Sequence, residues 1–260
     1  MDHARNRLSA CILCKNAQER LGRCLASVAF ADEIVVLDSG STDDTLDIAR
    51  QFTEKVFICN DWPGFGEQRR RVEEFAGNDW ILMIDSDEEV SEPLCREIQK
   101  SLATATPGQV FRINRLTFFC GRFIRHSGWY PDKISRLYNK RQYRYDRKRV
   151  HESLDCKGAE LIDLTGDLLH YTAMDLSEYL HKRLQYAEAW AEEHHANGRK
   201  SGLLQAVFSS GFAFIRHYFL RAGFLDGKAG FLIAAIQMQY TFNKYILLLM
   251  KHGTTDRPRT

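Results

Sequence analysis

The amino-acid sequence predicts an α/β fold in which a mostly parallel sheet is flanked by helices on both faces. Short apolar runs alternate with segments of helical periodicity across residues 8–105, as in consecutive strand-helix units. Two acidic motifs, beginning at Asp38 and Asp85, each follow directly on an apolar run. With 260 residues, 44% of them hydrophobic, the chain is long enough to bury one sizeable core.

The first half of the chain predicts four strands. They lie at Leu8–Cys14, Glu33–Leu37, Lys55–Cys59 and Trp80–Ile84, with helical patterns following the first two, over Phe65–Phe75 and from Ser91 to about Leu102. The run Trp80–Ile84 is apolar throughout, which is typical of a central parallel strand. Ser91, with Pro93 two residues later, indicates the beginning of a helix.

The second half differs in composition, because its predicted strands carry many Arg and Tyr residues. We expect strands at Val110–Phe119 and Lys133–Tyr145, a loop at Gly121–Pro131, a hairpin over Gly158–Tyr171, a long helix over 175–196 and apolar helices from Leu203 onward.

Asp85 and Asp87 are separated by one residue and follow a predicted central strand. Ligands of parallel α/β sheets sit at the carboxyl ends of the strands. Two carboxylates in that position can share one divalent cation, and Mg²⁺ or Mn²⁺ bound there would take its other ligands from substrate phosphates. The alternative is a solvated turn, which explains the acids but not their position after Trp80–Ile84.

The turn Asp38–Asp44 also ends a hydrophobic strand and precedes a helix. A carboxylate at Asp38 can accept hydrogen bonds from a base or ribose, and Gly40 permits close approach of the backbone. Helix capping alone is the alternative, and we expect it for Thr42 or Asp43.

These motifs together resemble family-2 glycosyltransferases of the GT-A fold. The resemblance lies in Ser9–Asn16, Val35–Asp43 and Trp80–Val90, and it continues through Trp62–Gly66, Arg149–Glu152 and His170-Tyr171, which are similar to bacterial β-1,4-glucosyltransferases of the lipopolysaccharide inner core. It covers roughly residues 8–250. One departure is that many relatives have Glu-Asp where this chain has His151-Glu152.

The resemblance implies a role for each of these positions. The donor nucleotide sugar would be bound by Lys15, Asn16, Asp38, Ser39, Gly40, Asp85 and Ser86. The metal would be held by Asp85, Asp87 and His170, and Glu152 would be the general base. The acceptor would be contacted by Trp129, Tyr130 and His151. Gly64 and Gly66 predict a flexible loop near the donor, and Gln68 and Arg69 after it could face the site, although they are not counted among the expected site residues. Glu152 could instead be an inert surface residue, and His170 a hydrogen-bonded histidine of a hairpin.

The reaction implied is inverting transfer of a hexose, glucose from a UDP donor, onto a heptose of the lipopolysaccharide inner core. Such a single displacement needs a base and a stabilised leaving group, with no covalent nucleophile. Residues 1–172 would form the catalytic domain, in which residues 8–105 bind the nucleotide sugar and residues 106–172 bind the acceptor. Residues 173–260 would form a helical region that associates with membranes. A glycosyltransferase for another surface polysaccharide or glycolipid, and a metal-dependent nucleotidyltransferase, are the alternative enzymes. A non-catalytic carbohydrate- or lipid-binding module is a further rival.

The net charge of +2 excludes a molecule that binds nucleic acid through its overall charge. Residues 112–149, however, carry twelve Lys or Arg residues among aromatic residues. Such a stretch suits an anionic acceptor, single-stranded nucleic acid, or no ligand at all. The donor motifs favour the acceptor, and we expect no nucleic acid.

The apolar tail has no uninterrupted run of the ~20 residues that a membrane span requires. Its isolated cations favour helices lying in the membrane interface, with core helices or an oligomer interface as alternatives. The seven cysteines follow no signal peptide, and Cys11 and Cys14 point to opposite faces of one strand. We therefore expect reduced thiols and a peripheral protein at the cytoplasmic face of the inner membrane.

Overall fold

The computed structural model describes residues 6–148, 152–172 and 176–253. The chain divides into two compact units. The first comprises Met1–Leu116 and Pro131–Tyr171, and the second comprises Thr117–Tyr130 and Thr172–Thr260.

The first unit contains most of the strands and four helices. Its strands are β1 (Leu8–Cys14), β2 (Glu33–Asp38), β3 (Val56–Ile58), β4 (Trp80–Asp85), β5 (Glu88–Val90), β6 (Gln109–Phe119), β8 (Lys133–Asn139) and β9 (Glu160–Tyr171), and its helices are α1 (Leu21–Ser27), α2 (Thr45–Arg50), α3 (Phe65–Phe75) and α4 (Glu92–Leu102). The last residues of β6 belong to the second unit, which contains β7 (Arg122–Phe123), α5 (Leu176–Ala196), α6 (Leu203–Ile215) and α7 (Gly227–Gly253). A π-helical turn at Arg216–Leu220 and a 3₁₀ turn at Gly223–Asp226 separate α6 from α7.

The sheet is mixed. Within the described residues the strand order is β3-β2-β1-β4-β8-β6-β9-β5, with β7 paired to β6. Strands β1 to β4 run parallel to their neighbours in this group, whereas β8 is antiparallel to β4. Cys14 is in register with Asp38, and Leu13 with Asp85, so both acidic motifs lie at the same edge of the sheet. This edge is where open α/β sheets bind ligands.

Both faces of β1 are covered, which explains why its burial is complete. Ile12 and Cys14 pack with Leu21 and other apolar residues on one face, whereas Cys11 and Val72 lie in a second cluster on the other. Cys11 and Cys14 are therefore on opposite faces of the strand, as predicted, and both are free thiols. Burial raises the pKa of each thiol, so neither is a reactive nucleophile near neutral pH.

Two predicted elements of the second half were wrong. The segment Gly158–Tyr171 is not a hairpin but contributes one long strand, β9. A Cβ atom at Gly166 would lie 2.5 Å from the Cα atom of Leu94, so this glycine permits close packing of α4 and does not form a turn. Strand β8 ends at Asn139, not at Tyr145, because the Asn139 side chain accepts a hydrogen bond from the Arg141 N–H at 3.0 Å and closes a turn.

Small residues are buried in the helices of the second unit. Ala187 and Ala191 of α5, Ala206 of α6 and Ala234 of α7 are inaccessible to solvent. The buried carboxylate of Asp226 accepts from the His126 N–H at 2.8 Å, which fixes the loop after β7 to the turn before α7. In the described part of the chain, no helix combines the length and the apolarity needed to cross a bilayer.

Candidate functional site

Asp85, at the end of β4, lies between two arginines. Its Oδ1 is 2.8 Å from Nη2 of Arg69 on α3, and its Oδ2 is 2.6 Å from Nη2 of Arg136 on β8. Burial alone would raise the pKa of this carboxyl, but the charges of Arg136 and Arg69 outweigh burial and hold the pKa well below its usual range. Asp85 is therefore ionised, and the arginines take up both of its oxygens.

Glu88, the first residue of β5, is fully buried beside this pair. Arg136 Nη2 also donates to Glu88 Oε1 at 3.0 Å, and Glu88 Oε2 accepts from the Asp85 N–H at 3.0 Å. Burial, together with the nearby charge of Asp85, raises the pKa of Glu88. The short turn between β4 and β5 is thus held in place by the Glu88 side chain and by Arg136 of β8.

Arg69 connects Asp85 to Glu152. Its Nε donates to Glu152 Oε1 at 3.0 Å, and its guanidinium lies 5.2 Å from the centre of the Tyr145 ring. The Arg69 side chain is only 4% exposed, and its Nη1 is buried with no hydrogen-bond partner in the described part of the chain. The expected base and the expected diphosphate-binding acid are therefore held by one rigid cation.

Arg69 and Arg136 were not among the expected site residues. The sequence carries only a weak signal for Arg136, which lies in a predicted strand between Ser135 and Leu137. Its burial is seen in the structure, where the last four positions of this strand are buried. A buried arginine requires anionic partners, and the two acids beside the end of a central strand are the candidates for that role. For Arg69 the helix α3 offers no comparable signal, since three consecutive arginines, Arg69 to Arg71, occupy it.

Asp87 and His170 are adjacent across the β5–β9 ladder. Asp87 Oδ2 lies 3.3 Å from His170 Nε2, and the Asp87 carbonyl accepts from the Tyr171 N–H at 2.9 Å. Ser86 is half-buried in the same turn. His170 pairs with Glu88 in the ladder, and this register brings its ring beside the acidic turn.

The described residues contain no group of three or more His, Cys, Asp or Glu side chains arranged to hold a metal ion. Asp87 and His170 still fit a divalent cation that takes most of its ligands from elsewhere. Mg²⁺ commonly uses one or two protein carboxylates and completes its octahedron with phosphate oxygens and water. The carboxylate of Asp85 is paired with its two arginines, so among the described residues of this acidic turn and its neighbouring strand β9, Asp87 and His170 are the available donors.

Asp38 is buried at the end of β2, and its carboxylate is used by its own turn. Oδ2 accepts from the N–H groups of Gly40 and Ser41, both at 2.8 Å, and Oδ1 accepts from the Ser41 hydroxyl. Gly40 has a φ of +88°, a conformation that suits glycine. Ser39 Oγ accepts from Gln68 Nε2 at 3.1 Å, so α3 packs directly against this turn.

Asn16 joins the loop after β1 to the loop after β2. Its Oδ1 accepts from the Thr42 N–H at 2.9 Å, and its own N–H donates to Ser41 Oγ at 2.8 Å. The neighbouring Lys15 is exposed. The residues expected to bind the donor therefore come together at one edge, and several of them also hold one another in place.

The residues expected to contact the acceptor are not part of this cluster. Trp129 and Tyr130 belong to the second unit, where the Trp129 ring lies 5.2 Å from that of Phe119 and Arg125 lies over the ring of Tyr130. His151 lies outside the residues that the structure describes.

The family of the chain follows from comparison with known proteins. Residues 9–158 match the family model of glycosyl transferase family 2. The chain is 27% identical over 261 residues to the lipopolysaccharide core biosynthesis glycosyltransferase LpsC of Rhizobium meliloti (strain 1021), with 96% of this chain and 95% of LpsC covered. It is 28% identical over 254 residues to an uncharacterized glycosyltransferase of Rickettsia typhi, with 93% and 85% covered.

Among solved structures, TarS 1-349 of S. aureus in complex with UDP matches with a TM-score of 0.48 and 15% identity, over 97% of this chain and 93% of that one. The mixed sheet with flanking helices is GT-A-like, as the sequence resemblance implied. Because the family model covers more than half of the sequence, this chain belongs to glycosyl transferase family 2 and is a glycosyltransferase.

Proposed function

We propose that this glycosyltransferase moves a hexose, glucose from UDP-glucose, onto a heptose of the lipopolysaccharide inner core, with inversion at the anomeric carbon. Similarity to LpsC over nearly the whole chain supports the acceptor class. The observation that carries the proposal is the ion-paired cluster of Asp85, Arg69 and Glu152 at the carboxyl edge of the parallel strands, next to Asp87 and His170.

The donor would bind along the edge formed by the loops after β1, β2 and β4. The turn of Asp38 to Gly40 would receive the nucleoside, with Lys15 and Asn16 beside it and Ser86 near the diphosphate. Asp38 contributes mainly by holding Gly40 and Ser41, because its oxygens already accept hydrogen bonds from that turn. Its burial makes this arrangement rigid before any donor arrives.

Asp87 and His170 would hold Mg²⁺ or Mn²⁺. A divalent cation supplies charge neutralisation for the departing nucleoside diphosphate. Asp85 contributes to the same site indirectly. Its arginines keep it ionised and fixed, and the hydrogen bond from its N–H to Glu88 orients the turn that carries Asp87.

Glu152 would accept the proton of the acceptor hydroxyl. Arg69 holds Glu152 Oε1, which leaves Oε2 as the oxygen for proton transfer. The side chain of Glu152 is 14% exposed, so most water is excluded from it while an acceptor hydroxyl can still approach. In this arrangement no covalent intermediate forms, and an α-linked donor yields a β-linked product.

His151, Trp129 and Tyr130 are proposed acceptor contacts, and the basic stretch 112–149 would attract the phosphates and carboxylates of a core oligosaccharide. A lipid-linked acceptor implies that the protein works peripherally at the cytoplasmic face of the inner membrane. A glycosyltransferase acting on another surface polysaccharide or glycolipid is the second candidate, because the same donor site would serve it.

The test is to measure UDP release from a panel of UDP-sugars with Mn²⁺ or Mg²⁺, with and without core lipopolysaccharide ending in an unsubstituted heptose. We expect release from UDP-glucose to require both the metal and the acceptor. Release only with a different polysaccharide would move the proposal to the second candidate, and no release from any UDP-sugar would overturn the donor assignment.

A further inference from the structure

Helix α6 has an unusual distribution of side-chain size. Its large apolar residues face solvent: Leu204 and Phe208 are each 72% exposed, and Phe212, one turn further on, is 58% exposed. Its buried residues are small, namely Ala206 and Ser210. A helix of a water-soluble domain normally does the reverse and turns its large apolar side chains toward the core.

Burial of small residues and exposure of large ones is the pattern of helices that pack in lipid. Without a hydrophobic force between them, such helices approach closely through Gly, Ala and Ser and leave Leu and Phe to the hydrocarbon. Helix α7, on which α6 packs, presents buried Ala229, Gly230 and Ala234. A Cβ atom at Gly230 would lie 1.8 Å from the carbonyl oxygen of Gly223, so the close approach of α7 to the 3₁₀ turn depends on this glycine.

The exposed apolar surface continues through the two turns that follow α6. Phe219 and Leu220 in the π-helical turn are 56% and 69% exposed, and Leu225 in the 3₁₀ turn is 54% exposed. The ring of Tyr218 contacts that of Phe219 at 5.1 Å and that of Phe231 of α7 at 5.9 Å. These contacts hold the turns and the beginning of α7 together, so the apolar side chains belong to one ordered region and not to a loose tail.

The charge around this region has one sign. From residue 194 to residue 225 the sequence has four Lys or Arg residues and no Asp or Glu. Arg216, in the π-helical turn, and Lys228, in the first turn of α7, are exposed. Asp226, the residue after Leu225, is buried and accepts a hydrogen bond from His126, so it does not face a partner.

We infer that the apolar surface of α6 and its two following turns, represented by Leu204, Phe208, Phe212, Phe219, Leu220 and Leu225, inserts into the interface of an anionic phospholipid bilayer, with Arg216 and Lys228 at the headgroups. The thirteen residues of α6 extend about 20 Å, which is shorter than the hydrocarbon core of about 30 Å, so the helix lies in the interface plane. The inference deepens the proposed location at a membrane, but it does not depend on the identity of donor or acceptor.

A second copy of the chain is the competing occupant of such a surface. A lipid bilayer is favoured because a two-fold contact would bring the same cations of both copies together, whereas anionic headgroups neutralise them. The large exposed rings also suit an adaptable hydrocarbon surface, which needs no complementary shape.

The experiment measures co-sedimentation of the full-length protein with vesicles of phosphatidylethanolamine and phosphatidylglycerol, compared with phosphatidylcholine alone. We expect the wild type to bind the anionic vesicles, and L204E/F208E to bind them at least tenfold more weakly. The matched control is L161E/L184E, which adds two carboxylates at exposed apolar positions outside this surface and should bind as the wild type does. We expect R216Q/K228Q to lose the preference for anionic vesicles.

Thermal unfolding and UDP release in the absence of vesicles distinguish a folding or catalytic defect from a binding defect. Wild-type binding by folded L204E/F208E, or an equal loss of binding by L204E/F208E and the control L161E/L184E, would overturn the inference. So would a wild-type protein that dimerises through this surface and ignores vesicles. Because no sugar is needed for the vesicle assay, failure of the proposed reaction would leave this result unaffected.

Discussion

The Arg136 guanidinium donates to Asp85 across 2.6 Å, at the point where the parallel part of the sheet meets its antiparallel part. Asp85 lies on β4 and Arg136 lies on β8, and these two strands are neighbours in the sheet although they are far apart in sequence. Arg136 also donates to Glu88, so one guanidinium offsets much of the repulsion between the two acids at this strand end.

Removing Arg136 should destabilise the fold strongly. R136M would remove the cation nearest to buried Glu88, which would keep only the more distant Arg115 at 3.9 Å, and it would leave Asp85 paired with Arg69. We therefore expect a loss of about 3–5 kcal/mol in the free energy of unfolding. Urea unfolding followed by circular dichroism measures it. R141M removes an exposed arginine that pairs with Asp79, and it should leave the unfolding midpoint unchanged. Equal midpoints for R136M and the wild type would show that the buried network is not structural.

Asp87 should be needed for the metal and not for the fold. We expect D87A to lose at least a hundredfold in metal-dependent UDP release, or to require far more Mn²⁺, while it unfolds as the wild type does. Isothermal titration calorimetry measures the affinity of the same site for Mn²⁺ and UDP, independently of turnover. E89A is the matched control, because Glu89 lies two residues away and pairs with Arg23 at 3.0 Å. Full metal-dependent activity in D87A would remove this assignment.

Glu152 should control the chemical step. In E152Q the amide oxygen can still accept from Arg69, so we expect stability to change by less than about 1 kcal/mol, whereas kcat should fall by about 10²–10⁴-fold with little change in KM. Steady-state kinetics at saturating donor tests this. E160Q, at an exposed glutamate at the start of β9, should retain wild-type kcat. A wild-type kcat in E152Q would mean that another group accepts the proton.

Glu73 should make stability depend on pH. Burial raises the pKa of this carboxyl from 4.5 to about 7, and its Oε1 accepts a hydrogen bond from the Tyr138 hydroxyl. Between these two pH values the folded protein holds a proton that the unfolded chain has lost, so stability falls as the pH rises from 4.5 to 7. The full effect is about 3 kcal/mol.

The variant E73Q keeps the acceptor for Tyr138 and removes the titration. Compared with the wild type, its free energy of unfolding should be flatter between pH 4.5 and 7, as measured by urea unfolding at several pH values. Parallel pH profiles for the two proteins would contradict a raised pKa at Glu73.

Local sequence patterns were sufficient to predict most of the strands and helices of the N-terminal half. The bounds of β1 and α3 agree with the prediction residue by residue, and Ser91 caps α4 by accepting from the Leu94 N–H. These elements can be recognised locally, because the apolar run of β1 and the helical pattern of α3 each lie within one contiguous segment of the sequence. For the same reason the positions of Asp38 and Asp85 at strand ends followed from the sequence.

The sequence by itself determined the family, the strand-helix order of residues 8–105 and the acids at the edge of the sheet. Only the tertiary structure decided which cations neutralise those acids, that Gly166 packs against α4 instead of forming a turn, and that residues 117–130 group with the C-terminal helices. The physical reason is distance along the chain. Arg136 and Asp85 are 51 residues apart, and His170 meets Asp87 only through the β5–β9 register, so no local periodicity contains either contact.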